Sequence, residues 1–211
     1  MSLVRLVAAA LALCFPLLAG AQALYQEGVH YHRINPPVPT QAGEGKVEVV
    51  EVFSYACVHC ANFEPFVEAW KKYLPAHVQF ETMPAVFNAT WEVFARAHHA
   101  LRATGAVDRL HGPLFRALHQ DRRPLTSLEA VADWVAAEGV DRAAFLAAAQ
   151  SEETTARLQS ERQRAMAYGI EGTPTMVVNG KYLVGAGAGG FQGMLQVVDH
   201  LVAEEARAGK N

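Results

Sequence analysis

Cysteine is scarce in this sequence, with three in 211 residues. One of them, Cys14, lies in the apolar run Leu6–Leu18. Arg5 before that run and Ala21-Gln22-Ala23 after it complete the pattern of an export signal, residues 1–23, cleaved after Ala23. The run is too short for a membrane span, which needs about 20 apolar residues. Leu13 stands where a lipoprotein signal needs a small residue, so a lipid anchor is not expected. Removing 23 of 211 residues leaves 188, enough for one domain with a sizeable core or one carrying an insertion. Only Cys57 and Cys60 remain, which excludes a scaffold of several disulfides. No second ligand pair has metal-site spacing, and Ala61 stands where haem attachment needs histidine. Positive charge is lacking as well: 18 Lys and Arg face 21 Asp and Glu, a net −3, or −4 without Arg5. No basic patch therefore points to nucleic acid. The segment Gly185–Gly190, GAGAGG, has neither the lysine of a phosphate loop nor the spacing of a dinucleotide fingerprint, and is expected to be a flexible connection. Neither a metal nor a cofactor is expected.

What is present centres on Val47–Cys60, VEVVEVFSYACVHC. A run of Val and Phe, broken only by Glu48 and Glu51, has the composition of a buried strand. After Cys57-Val58-His59-Cys60 the apolar period changes, with Cys60, Phe63, Val67, Trp70 and Leu74 spaced by three and four as on a helix. A strand thus delivers the chain to a short turn, and a helix begins at or near Cys57. Unpaired backbone N–H groups and the positive helix end converge there and favour a thiolate. In an exported protein, where disulfides persist, such a pair reads first as a redox site.

Leu24–Gly45 reads as an irregular lead-in, extended through Asn35-Pro36-Pro37-Val38-Pro39. Pro65 is expected to kink the helix that follows the cysteines. Val78–Met83 alternates as a second strand ended by Pro84. From Asn88 to Tyr168 strand signals vanish and alanine-rich helices take over. One carries Trp91, Phe94, His98 and Leu101 and stops at Gly105. Another spans Val107–Gln120, with an interruption expected near Gly112-Pro113. Thr126 and Glu129 form a capping box for the next, Asp141 caps a short one, and the last follows Ser151 and ends at Gly169. His98 and His99 read as helix surface and core, not as ligands. Thr175–Val178 and Lys181–Val184 flank Asn179-Gly180, a two-residue hairpin signal. A helix over Phe191–Ala206 closes the chain. The order is β-α-β, helices, β-β-α.

Gly172-Thr173-Pro174-Thr175 precedes that hairpin, and a proline at the mouth of an apolar strand fits a cis Thr173–Pro174 bond. With FSYACVHCANFEP, HVQFETMP, the helical block and GIEGTPTMVVNGKY, the chain resembles the DsbA-like periplasmic thiol–disulfide oxidoreductases of the thioredoxin superfamily. The resemblance implies an α/β thioredoxin-like fold interrupted by an inserted all-helical subdomain. Residues 24–87 and 169–211 would form the thioredoxin-like domain and 88–168 the insertion. It also implies that Pro174 lies beside Cys57, and that Cys57 is the exposed nucleophile with Cys60 its buried partner. His59 matches the dipeptide histidine, with Val58 where proline is commoner. Glu51 and Glu64 match acids that tune the pair. Pro75 stands where some relatives have a lysine balancing the buried glutamate, and Thr173 where the strongest oxidants often have valine.

The resemblance implies a protein dithiol oxidase. A substrate thiolate attacks the disulfide at Cys57, and a second substrate thiol resolves the mixed disulfide. Helix dipole, backbone N–H groups and a His59 imidazolium are all expected to stabilise the Cys57 thiolate. The implied partners are reduced, unfolded or folding secreted proteins, and a membrane quinone-linked DsbB-like oxidase for recycling in the periplasm. A disulfide reductase or isomerase stays open at this stage, as does a redox-inactive peptide-binding chaperone.

Overall fold

The computed structural model describes residues 24–209. The signal segment 1–23, with Cys14, lies outside the described residues. The sheet has the strand order β1-β5-β4-β2-β3, from β1 (His32–Arg33), β2 (Val47–Phe53), β3 (Val78–Pro84), β4 (Thr175–Val178) and β5 (Tyr182–Gly185). β2 runs parallel to β3, with Val47 opposite Val78, and antiparallel to β4, with Val49 opposite Val178. Every residue of β2 is buried, because both sheet faces are covered. On one face Val49 packs with Phe63 and Val67 of α1 (Val58–Lys71) and with Val198 and Leu201 of α7 (Gly190–Ala208). On the other, Val50 and Val52 meet Met83, Val177 and Tyr168. Strand alternation therefore puts Glu51, between Val49 and Phe53, under α1, and Glu48 on the opposite face.

The helical block comprises α2 (Ala89–Ala103), α3 (Val107–His119), α4 (Leu128–Ala137), α5 (Arg142–Ala149) and α6 (Glu152–Tyr168). Its caps explain its boundaries. Asp141 Oδ1 accepts from Ala144 N at 2.7 Å, Ser151 Oγ from Thr154 N at 3.1 Å, and α6 ends on Gly169 with φ 72°. The capping box shifts by one position. Ser127, not Thr126, caps α4 and accepts from Ala130 N at 3.2 Å. Two adjacent hydroxyl residues both suit a cap, and the backbone uses the second.

Other expectations also change. α3 runs without a break through Gly112-Pro113. Pro113 forfeits one backbone bond there, while Leu110, Leu114 and Phe115 stay packed in the core. α1 ends at Lys71, so Leu74 lies beyond it. Pro84 belongs to β3, as an edge strand allows. The lead-in holds a strand, β1, paired with β5, where His32 faces Leu183. Two residues without apolar alternation leave no readable strand signal. The Asn35–Pro36 bond is cis, as is Thr173–Pro174. At the hairpin Asn179 and Gly180 both have positive φ, and a Cβ on Gly180 would collide with the Val38 carbonyl. The glycine-rich connection is ordered, with a short 3-10 turn over Ala186–Ala188.

Candidate redox site

Cys57 is the N-cap of α1, at φ −92° and ψ 115°, and its Sγ accepts from Cys60 N at 3.4 Å. The turn before it is built from Ser54, whose carbonyl accepts from Cys57 N at 3.0 Å and whose Oγ accepts from Ala56 N at 3.2 Å. From the far part of the chain, the Thr173 carbonyl lies 3.5 Å from Cys57 Sγ. Cys57 is half-buried, Cys60 is fully buried, and both are free thiols. Cys57, Cys60 and Thr173, the residue before the cis Pro174, thus converge.

The two sulfurs differ sharply in acidity. The Cys60 thiol, donating to Cys57, does most to pull the Cys57 pKa from 9.0 to about 5, against the opposing effect of burial. The Thr173 hydroxyl and the backbone N–H groups of Cys60 and His59 pull the same way. That hydroxyl is buried and makes no hydrogen bond of good geometry. Burial pushes the Cys60 thiol far up. The pair therefore has one sulfur that is ionised at neutral pH and one that holds its proton. The His59 side chain is exposed, and its backbone N–H is among the groups that lower Cys57.

Glu51 and Glu64 are both buried, so neither is a solvated surface acid. Burial, and then the charge of Glu64, raise Glu51 to about 8, and its Oε2 has no hydrogen-bond partner. Lys71 of α1 is the cation that acts on Glu51, and it opposes part of that rise. Glu64 Oε2 lies 3.4 Å from His111 Nε2. No local sequence pattern singles out His111. Tyr55 Oη is 2.6 Å from His111 Nδ1 and 3.4 Å from His98 Nδ1, and His119 Nε2 is 2.7 Å from the Tyr55 carbonyl. His98 and His99 are both buried. A signal was available only in Tyr55, a polar aromatic directly before the cysteine turn, which needs a partner when buried.

A family model for the DSBA-like thioredoxin domain matches residues 48–196. The chain belongs to that family. It is 38% identical over 187 residues to the thiol:disulfide interchange protein DsbA of Pseudomonas aeruginosa, covering 88% of each sequence. It is 38% identical over 198 residues to the DsbA of Azotobacter vinelandii, covering 92% of each. The crystal structure of Pseudomonas aeruginosa DsbA superposes with a TM-score of 0.84 at 38% identity, over 89% of this chain and 97% of that one. The Xylella fastidiosa DsbA structure gives 0.82 at 36% identity, over 88% and 99%. The fold is thus the thioredoxin-like one with a helical insertion, and the chemistry is that of a thiol:disulfide oxidoreductase. Among the described residues no helix is long and apolar enough to cross a membrane.

Proposed function

We propose that this member of the family is an exported oxidant that transfers the Cys57–Cys60 disulfide to folding secreted proteins. The observation that carries this reading is the split in acidity between the two sulfurs. When a second substrate thiol resolves the mixed disulfide, Cys57 is the leaving group, and a stable thiolate leaves readily. Each pK unit of depression is about 1.4 kcal/mol in favour of the reduced enzyme. Cys57 is then the nucleophilic and leaving sulfur, Cys60 the buried partner, and Thr173 and Pro174 the wall of the substrate groove. His59 contributes its N–H, while Glu51 and Glu64 tune the pair. Residues 24–87 and 169–211 carry the site, and 88–168 form the insertion that packs over it. The working compartment is the periplasm, and a membrane quinone-linked DsbB-like oxidase restores the disulfide.

The test is to mix oxidised protein with a reduced, unfolded ribonuclease and to equilibrate it separately against glutathione. Disulfides should appear in the substrate as the enzyme becomes reduced, and glutathione should hold the enzyme mainly in its dithiol form. A substrate that stays reduced would leave a peptide-binding chaperone. A disulfide that survives the glutathione pool would mark a reductase.

A further inference from the structure

A cleft of about 340 Å³ opens between α1 and α3, with Val58 and Ala61 on one wall and Phe115, Arg116 and His119 on the other. Val58 follows Cys57 directly and is half exposed, so the cleft begins one residue from the reacting sulfur. His119 ties the walls together, because its Nε2 donates at 2.7 Å to the carbonyl of Tyr55, two residues before Cys57. The turn after α3 is held as well. Arg123 N donates to the Ala117 carbonyl at 2.8 Å, and Leu125 is buried in the core of the helical block. Residues 119–123 therefore form a fixed rim beside the cysteine pair.

The charge on that rim runs against the rest of the chain. Of the twelve arginines among the described residues, six pair with a carboxylate: Arg33, Arg96, Arg142, Arg157, Arg162 and Arg164. Of the other six, three stand within residues 116–123, at Arg116, Arg122 and Arg123, and all three are exposed. Asp121 is the acid in the same turn. Across the cleft, Glu68 is engaged by Lys71 and Glu64 faces His111, so neither carboxylate is given over to the arginines. The negative end of the α3 dipole accounts for Arg116 and His119 in its last turn. It does not account for Arg122 and Arg123, which lie beyond the helix. Arg122 also holds φ 51°, a conformation that favours glycine, so its side chain is kept where glycine would fit the backbone better.

We infer that the α1–α3 cleft and its arginine rim are a subsite for acidic side chains of the substrate polypeptide, close to the cysteine being oxidised. The inference rests on the dithiol exchange at Cys57 and Cys60 proposed above. A polypeptide whose sulfur approaches Cys57 advances about 3.3–3.6 Å per extended residue. Aspartate or glutamate two to four residues from its cysteine therefore falls within reach of Arg116, Arg122 and Arg123. The planar guanidinium forks suit carboxylates, and free arginine heads need no existing ion pair to break. The apolar floor of Val58, Ala61 and Phe115 receives the stem of the acidic side chain. The mature chain is negative overall, so without this rim it would repel acidic segments. The cluster reverses that field at the one place where the substrate must dock, and it acts on encounter and orientation, not on the sulfur chemistry.

The test uses dithiol peptides of one length that carry Asp, Ser or Lys at two to four residues from the cysteines. Each peptide's second-order rate with oxidised protein is divided by its rate with hydroxyethyl disulfide, an uncharged disulfide, to remove differences in thiol reactivity. At low salt the Asp peptide should exceed the Ser peptide by roughly tenfold, and the Lys peptide should be slowest. High salt should erase most of the difference. Arg122→Gln with Arg123→Gln should bring the Asp-to-Ser ratio close to one, and Arg122→Glu with Arg123→Glu should turn the preference toward Lys. Arg207→Glu, an equal change of charge for one residue at the far end of α7, should keep the wild-type preference. Thermal unfolding is run alongside, and Arg122→Gly replaces the glutamine variant if that one is destabilised. Equal ratios for Asp and Ser peptides with wild type would overturn the subsite. So would an Arg207→Glu variant that loses the preference as the rim variants do, since net charge alone would then explain it. Co-sedimentation with phosphatidylglycerol vesicles is measured on the same proteins. Equal peptide ratios with arginine-dependent vesicle binding would overturn the subsite and give the rim to a membrane surface. A wild-type protein that oxidises no peptide of any charge would instead overturn the proposed function.

Discussion

The Thr173 carbonyl oxygen and Cys57 Sγ lie 3.5 Å apart, although 116 positions separate them in the chain. A thiol at Cys57 can donate to that carbonyl, but a thiolate cannot. Once ionised, Cys57 depends on donors alone: the Cys60 thiol, the Thr173 hydroxyl, and the N–H groups of Cys60 and His59. The helical block is threaded between the two strand-bearing parts, and it also grips the turn. His119 and His111 hold Tyr55 at its carbonyl and its hydroxyl. The geometry of the cysteine pair thus depends on three separate stretches of sequence.

That division of labour predicts selective alkylation. In the reduced native protein at about pH 6, Cys57 should be roughly nine-tenths thiolate, given a pKa of about 5. Cys60 is buried and holds its proton. Brief iodoacetamide treatment followed by peptide mass mapping should find the label on Cys57 only. Equal labelling of the two would reverse the assignment of nucleophile and partner.

The exposure of His59 bounds what its ring can do. An exposed charge beside the thiolate is worth about 0–1 kcal/mol, or up to roughly 0.7 pK unit. His59→Ser keeps the backbone N–H and should raise the Cys57 pKa by no more than that, with the rise shrinking as salt is added. Thiolate absorbance against pH at two ionic strengths measures it. A rise of several units would show that the ring, and not the backbone, governs the cysteine.

These contrasts mark what was legible in the chain. The β2–α1 junction, the helical block and the Asn179-Gly180 hairpin were readable, because each is coded by local periodicity, caps or positive-φ residues. The placement of Thr173 and Pro174 beside Cys57 came through resemblance, since no local pattern encodes a contact across 116 positions. β1 escaped notice because two residues carry no period. The histidine–tyrosine network escaped for another reason: His98, His111 and Tyr55 belong to three elements, and only packing brings them together. Glu51 and Glu64 were placed near the cysteines, but their burial was not readable from a charged residue type.

Burial of charge also makes a stability prediction away from the cysteines. Arg164 on α6 pairs with Glu48 on β2 and lies 3.6 Å from Glu81, with Arg164 and Glu48 almost inaccessible to solvent. Arg164→Met leaves a buried carboxylate unpaired and should cost about 3–5 kcal/mol. Replacing Glu48 and Arg164 together by apolar residues should cost clearly less. Denaturant unfolding of both variants checks it, and equal losses would mean the pair matters through packing alone.

Glu51 and Cys57 should leave opposite marks on stability as pH changes, and the redox state separates them. Glu51 is raised from 4.5 to about 8 by burial. Between those values the folded chain keeps a proton that the unfolded chain has lost. Its contribution is therefore fully present below about pH 4.5 and is lost as pH rises through 8. Cys57 in the reduced protein is lowered from 9.0 to about 5. Its contribution is fully present above pH 9.0 and is lost as pH falls through about 5. In the oxidised protein Cys57 has no thiol to titrate, so only the decline due to Glu51 remains. The stability gap favouring the reduced form should accordingly widen with pH from about 5 to 9.0. It should reach a few kcal/mol on the scale of about 1.4 kcal/mol per pK unit, with solvent screening of the half-buried thiolate reducing the full value. Glu51→Gln should flatten the oxidised profile and stabilise both forms above about pH 8, leaving the gap between them unchanged. Denaturant melts of both redox forms, with and without the substitution, measure all four curves. A gap that does not change with pH would refute the depressed cysteine, and an oxidised profile unaltered by Glu51→Gln would refute the buried acid.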